Sequence, residues 1–219
     1  MVFSQVLPSL TMKKLWDISP PVDASSPVFP GDTPYTQQWA ATLSETCPVN
    51  VSAITLSPHV GAHADAPLHY DAQGAAVGVL DLSPFLGHCR VIHALAAGPL
   101  VTIAHLQHAL ADVPPRVLVR TCPQFPLTQF DPQLSAFHPD TVQHLADLGV
   151  QLIGIDSASI DPADSKPLPS HQVIHQRGLR VLENLLLDDV PEGDYELIAL
   201  PLKLMTADAS PVRAVLREL

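Results

Sequence analysis

Positive charge is scarce in this chain. Lysine and arginine total 11 of 219 residues, against 22 aspartates and glutamates, for a formal net charge of −11. No basic cluster occurs, which excludes a nucleic-acid interface built on phosphate neutralisation and an anionic membrane surface. Cysteine is scarcer still. Cys47, Cys89 and Cys122 stand apart, odd in number and without a CxxC pair. A disulfide framework is therefore not encoded, and a reducing cytoplasm is the expected compartment. Cys89 and Cys122 lie in or beside apolar runs and read as small core residues, with no signature of a catalytic thiol. No apolar run approaches a membrane span. Met1 to Leu10 contains Pro8 and lacks a basic region, unlike a secretory signal. Met12-Lys13-Lys14 reads as an alternative start, which leaves residues 1–12 as an expected disordered extension.

What is present is apolar and stiff. Hydrophobic residues make up 47% and charged residues 15%, which excludes general disorder. The length suits one domain with a sizeable core. Twenty-three prolines imply rigid, irregular loops around it. The patterning predicts strands at 15–18, 49–56, 90–95, 116–120, 151–156 and 195–200. It predicts helices at 102–110, with Ile103, Leu106 and Leu110 on one face, and at 140–148, closed by Gly149. A short helix is expected over 170–176, with Ser170 as its N-cap and Gly178 ending it. Residues 20–36 read as a proline-rich ordered loop. Residues 180–187 fit strand or helix, and so do 210–218. The sum is a single mixed α/β domain in which strand exceeds helix.

The most informative stretch follows the strand at 49–56. His59, His63, Asp65 and His69 fall within eleven residues, punctuated by Gly61 and Pro67. Imidazole and carboxylate are ligands of Zn²⁺ and related divalent cations. Gly61 lets the backbone bend and Pro67 prevents a helix across the segment, so a stiff loop turning its ligands to one point is expected. Asp65 has two oxygens and can bridge two metals. Further ligands must come from elsewhere, and His171 and Glu183 are the leading candidates. His175, four residues after His171, competes with it as an i, i+4 partner. Glu183 sits in the apolar run Val181–Leu185. By itself such a carboxylate more often faces solvent than a buried partner. The remaining histidines, His88, His93, His105, His108, His138 and His144, lack ligand-rich neighbours and read as surface or satisfied core groups.

The run His59-x-Gly61-x-His63-x-Asp65-x-Pro67-x-His69 resembles the HxGTHxDxPxH signature of the cyclase family of metal hydrolases, in particular its kynurenine formamidase (arylformamidase) branch. Trp16–Pro20, Val28–Pro34, Gly154–Asp156, Leu187–Pro191 and Tyr195–Leu202 resemble family segments in the same order, from about residue 14 to the C-terminus. The resemblance implies a swivelling-type β/β/α core and at least a homodimer. It implies a two-zinc site, with His59, His63 and Asp65 in one ligand cluster and His171 and Glu183 completing the other. Asp65 is then shared, and Mn²⁺ or Fe²⁺ also suits such ligands. His171 rather than His175 takes the ligand position, and Glu183 turns inward. His69 becomes the acid/base residue and Phe29 a substrate contact. The implied reaction is hydrolysis of N-formyl-L-kynurenine to L-kynurenine and formate in tryptophan breakdown, with water activated between the metals. Two residues depart from the pattern. Ala62 replaces a frequent Thr, and Phe29 stands where the formamidases usually carry Trp, losing area and an indole N–H. Phe29 keeps open a cyclic amide or imide hydrolase of the isatin type. A non-catalytic metal domain is the third reading, against which His69 argues, since a structural site closes its coordination.

Overall fold

The computed structural model describes residues 13–219; the expectation of a disordered extension at 1–12 lies outside them. Thirteen strands are β1 Leu15–Asp17, β2 Thr36–Ala41, β3 Val51–Thr55, β4 His63–Asp65, β5 Leu86–His93, β6 Leu100–Val101, β7 Arg116–Arg120, β8 Ala136–Phe137, β9 Leu152–Ile155, β10 Arg180–Glu183, β11 Gly193–Ile198, β12 Ala209–Pro211 and β13 Val215–Arg217. Three α-helices are α1 Ile103–Leu106, α2 Pro139–Asp147 and α3 Pro169–Arg177. Nine strands form one curled mixed sheet in the order β1-β13-β11-β5-β7-β9-β10-β4-β12. Its centre, β5-β7-β9-β10, is parallel, and both flanks are antiparallel.

Within this centre β7 and β9 are near-continuous apolar runs because both faces are covered. Side chains alternate along them. Leu118, Leu152 and Leu182 join the core on one face with Phe85, Leu197 and Leu216. Val117, Val119, Ile153 and Val181 join the core on the other with Leu106, Val142, Leu145 and Ile174 from the helices. At Gly154 the packing leaves no room: an added Cβ would lie 2.5 Å from Leu118 Cδ2 and 2.8 Å from Leu185 Cδ1. The single mixed α/β domain expected from the sequence is what forms.

Several local expectations change. The strand expected over 49–56 is not in the sheet; β3 pairs with β2, which the proline-rich reading did not foresee, in a ribbon exposed on nearly every residue. The helix expected over 102–110 is one α turn continued by a 3-10 turn, because only Leu106 is fully buried there. Ser170 is not the N-cap of α3. Leu168 occupies that position, and Ser170 lies inside the helix with its hydroxyl donating to the Phe137 carbonyl. Residues 180–183 resolve as strand, and 210–218 fall largely in two short strands on opposite flanks of the sheet, β12 at one edge and β13 between β1 and β11. The motif segment is not simply a loop. His63–Asp65 is buried strand β4, held between β10 and β12.

Candidate metal centre

The ligand-bearing segment is rigid for identifiable reasons. After β3 the chain turns at Ser57–Val60, where the Val60 N–H donates to the Ser57 carbonyl at 3.1 Å. Gly61 has φ +71°, and a Cβ there would lie 2.6 Å from Val22 Cγ2. Only glycine takes both the left-handed backbone and the close approach. Its carbonyl faces His63 Nδ1 at 2.9 Å. That bond places the proton on Nδ1 and leaves Nε2 to act as a ligand. His63 and Asp65 are two apart on β4 and so share a face. Glu183 lies directly opposite His63 in the β10–β4 register. Pro67 then opens a 3-10 turn that ends on His69.

His171 comes from the first turn of α3. Asp161 holds that helix start: its carboxylate accepts from Ser170 N–H at 2.9 Å, His171 N–H at 3.0 Å and His171 Nδ1 at 2.7 Å. A carboxylate is favoured at a helix N-terminus. The bond to Nδ1 again turns Nε2 inward.

Four side chains from three elements thus meet in the interior. His63 Nε2 lies 3.4 Å from Asp65 Oδ1 and 3.3 Å from Glu183 Oε2. His171 Nε2 lies 3.4 Å from Asp65 Oδ2 and 3.6 Å from Glu183 Oε1. Glu183 Oε1 also accepts the Ile160 N–H at 2.8 Å. Yet His63 Nε2, both Asp65 oxygens and His171 Nε2 are buried without a hydrogen-bond partner. Four orphaned polar atoms aimed at one another are costly unless a cation sits among them. The electrostatics agree. Burial disfavours a charged His63, but Asp65 and Glu183 outweigh it and push its pKa up to about 10. Burial acts likewise on His171, where Asp161 and Asp65 push it up to about 10. Burial also opposes ionisation of Asp65, yet His171, His59 and His63 hold its carboxyl well below the usual range. The pocket demands positive charge, and these donors suit a divalent metal.

A second set rings this cluster. His59 Nδ1 is 3.1 Å from Asp65 Oδ1, and its Nε2 is 3.0 Å from Asp208 Oδ2. His69 Nδ1 also meets Asp208 Oδ2, at 3.2 Å. Ligand atoms of His59, His63 and Asp65 come within 4.8 Å of one another, as do those of Asp65, His69 and His171, and of His59, His69 and Asp208. The structure therefore brings His59, His63, Asp65, His69, His171 and Glu183 together. The solvent-facing reading of Glu183 is overturned: it is 3% exposed. His175 points elsewhere and pairs with Asp71 at 3.2 Å. Of the other histidines, His93 bonds the Val190 carbonyl and His138 the start of α2.

Sequence reasoning missed Asp161 and Asp208. Asp161 lies ten residues before His171, and Asp208 is brought in by the return of the chain into β12. Neither has a ligand-like neighbour in sequence. Asp208 could have been found only through the strand pairing that sets β12 beside β4.

A cavity of about 740 Å³ opens over the cluster, lined by His59, His69, His171, Glu183 and Asp208 at its floor. Phe29 lines it and packs edge-on against Phe130, ring centroids 5.0 Å apart. Cys122 also lines it, but burial and neighbouring Asp156 raise its thiol pKa, and burial pushes Cys89 up to about 12. Both thiols stay protonated and are poor nucleophiles.

Residues 16–162 match the family model described as "Putative cyclase". The kynurenine formamidase of Delftia acidovorans is 70% identical over 207 residues, covering 94% of this chain and 99% of that one. A solved structure called a potential metal-dependent hydrolase with cyclase activity superposes with a TM-score of 0.81 at 28% identity, over 94% of this chain and 98% of that one. An isatin hydrolase bound to thioisatinate gives 0.81 at 22% identity, over 94% and 92%, a likeness of fold alone.

Proposed function

The chain belongs to the cyclase family, and from that premise we propose that it is an amide hydrolase converting N-formyl-L-kynurenine and water to L-kynurenine and formate. The observation that carries this reading is the inward-facing carboxylate–imidazole cluster, with four unpartnered buried atoms, at the floor of a cavity with an aromatic wall. The 70% identity to a kynurenine formamidase supports the substrate.

We assign His59, His63 and Asp65 to one Zn²⁺ and Asp65, His171 and Glu183 to a second; Mn²⁺ or Fe²⁺ would suit the same donors. Such ions, when bound, lower the pKa of water and polarise a carbonyl oxygen. The chain's own groups do the rest. His69 stands at the rim, where its part-exposed imidazole can exchange protons with water. It takes the proton lost by the attacking water and passes it to the arylamine nitrogen as the C–N bond breaks. Asp208, bonded to Nδ1 of His69, fixes the ring so that Nε2 serves the reaction. Phe29 and Phe130 pack against the aryl ring and exclude water from one side.

We further assign a homodimer or larger homo-oligomer. The β2–β3 ribbon exposes Trp39 at 58%, Val51 at 47% and Ile54 at 57%, apolar surface suited to a second copy. No helix among the described residues is long and apolar enough to cross a membrane, and the three cysteines are free, which suits the cytoplasm.

The test is kcat/KM for N-formyl-L-kynurenine on zinc-loaded, metal-analysed protein, with isatin alongside. Formamide turnover abolished by chelation and restored by zinc is expected. Turnover of isatin alone would move the assignment to cyclic amides.

A further inference from the structure

Among the described residues that line the cavity, Lys166 is the only lysine or arginine. The same lining carries Asp32, Asp131 and Asp164 in addition to the acids of the floor, and the whole chain has a net charge of −11. Away from the proposed metal centre, Lys166 is therefore the one side chain of the lining whose charge attracts an anion. The substrate argued above carries such an anion, since its far end is an α-amino acid.

The segment that bears Lys166 is fixed. Asp161, which accepts from the first N–H groups of α3, closes the stretch between 161 and 170. Within it the Ser165 N–H donates to the Pro162 carbonyl at 2.9 Å, and the Leu168 N–H to Ser165 Oγ at 3.3 Å. Leu168 is held at φ +46°, a left-handed conformation that costs a branched residue energy and persists only where the surroundings impose it. The loop is tied at one end to the carboxylate that orients His171 and at the other to His171 itself. The backbone that carries Lys166 is thereby registered against the proposed metal centre, and its exposed side chain lines the cavity mouth.

We propose that Lys166 is the specificity residue that takes the α-carboxylate of an α-amino-acid aryl formamide, so that the cavity selects this substrate over aryl formamides that lack the carboxylate. The inference rests on the functional reading above and names its substrate contact. An ammonium–carboxylate contact at this position strengthens ground-state and transition-state binding alike, so its loss acts mainly on KM.

The test measures kcat/KM for N-formyl-L-kynurenine and for its decarboxylated analogue, N-formylkynuramine, on zinc-loaded wild type, Lys166→Ala and Lys166→Arg. The quantity read is the ratio of the two values. Wild type is expected to favour the carboxylated substrate. Lys166→Ala should lower the ratio roughly tenfold or more, through KM, by the usual worth of a charged hydrogen bond, and Lys166→Arg should restore most of it. Turnover by wild type with an unchanged ratio in Lys166→Ala overturns the role of Lys166 and leaves the reaction standing. No turnover of either formamide by wild type overturns the reaction and this assignment with it.

Discussion

The inner and outer halves of the site are made of the same residue types but stand in different surroundings. His63, Asp65, His171 and Glu183 sit on β4, α3 and β10, between 0% and 3% exposed. Around them His59, His69 and Asp208 occupy turns, with side chains 14%, 33% and 41% exposed. The inner set has fixed ring orientations and unpartnered atoms, so it can hold a cation but cannot readily exchange protons with water. The outer set has partners and solvent. His69 and Asp208 can pass protons there, while His59, which also faces Asp65 at 3.1 Å, joins the cation site from its more open side. Division of labour here follows from burial more than from residue identity.

The largest effect should come from the inner set. Glu183→Gln preserves shape and the acceptor for the Ile160 N–H but removes one of two buried carboxylates. Bound metal should fall below the wild-type stoichiometry by elemental analysis, and kcat/KM should drop by at least about 10³-fold, the worth of several kcal/mol of charge stabilisation. Full occupancy with unchanged rate would erase the distinction between the halves. His69→Ala probes the outer set and should act oppositely on the two readouts. Metal content stays at the wild-type level while kcat falls roughly 10²-fold or more, the usual scale of acid/base catalysis. Metal loss in this variant would move His69 into the inner set.

Legibility from sequence divides along the same line. The strands at 116–120 and 151–156 were readable because burial on both faces makes them apolar throughout, and α2 because Pro139 and Gly149 punctuate it. His59, His63, Asp65 and His69 stood out because their spacing is local. Glu183 could not be placed from its neighbours, since a carboxylate in an apolar run is equally a surface residue of an edge strand. Its position opposite His63 depends on β10 pairing with β4, a contact across more than a hundred residues. The ribbon partner Thr36–Ala41 was hidden by the prolines before it. Ser170 was mistaken for a cap because Ser-before-helix is the common signal, whereas here Asp161 supplies the carboxylate that satisfies the same N–H groups from a distance.

Asp161 gives the finest test of the comparison, because it is buried like the inner set yet lies outside the unpartnered cluster. Its carboxylate accepts two backbone N–H groups and the His171 ring. In Asp161→Asn one oxygen is lost as an acceptor, and the new amide N–H₂ faces donors. Either the Ser170 N–H or the two His171 donors then face N–H₂ in place of an acceptor, so the hold on His171 weakens with no ligand atom removed. Metal affinity should weaken by roughly 10- to 100-fold in competition with a chromophoric chelator, while kcat at saturating metal changes far less than in Glu183→Gln. A smaller loss of affinity with a large loss of kcat would mean that Asp161 serves the reaction rather than the ligand. Affinity unchanged in this variant would show that the start of α3 orients His171 unaided, and that enclosure alone, without the supporting bond, makes the inner set what it is.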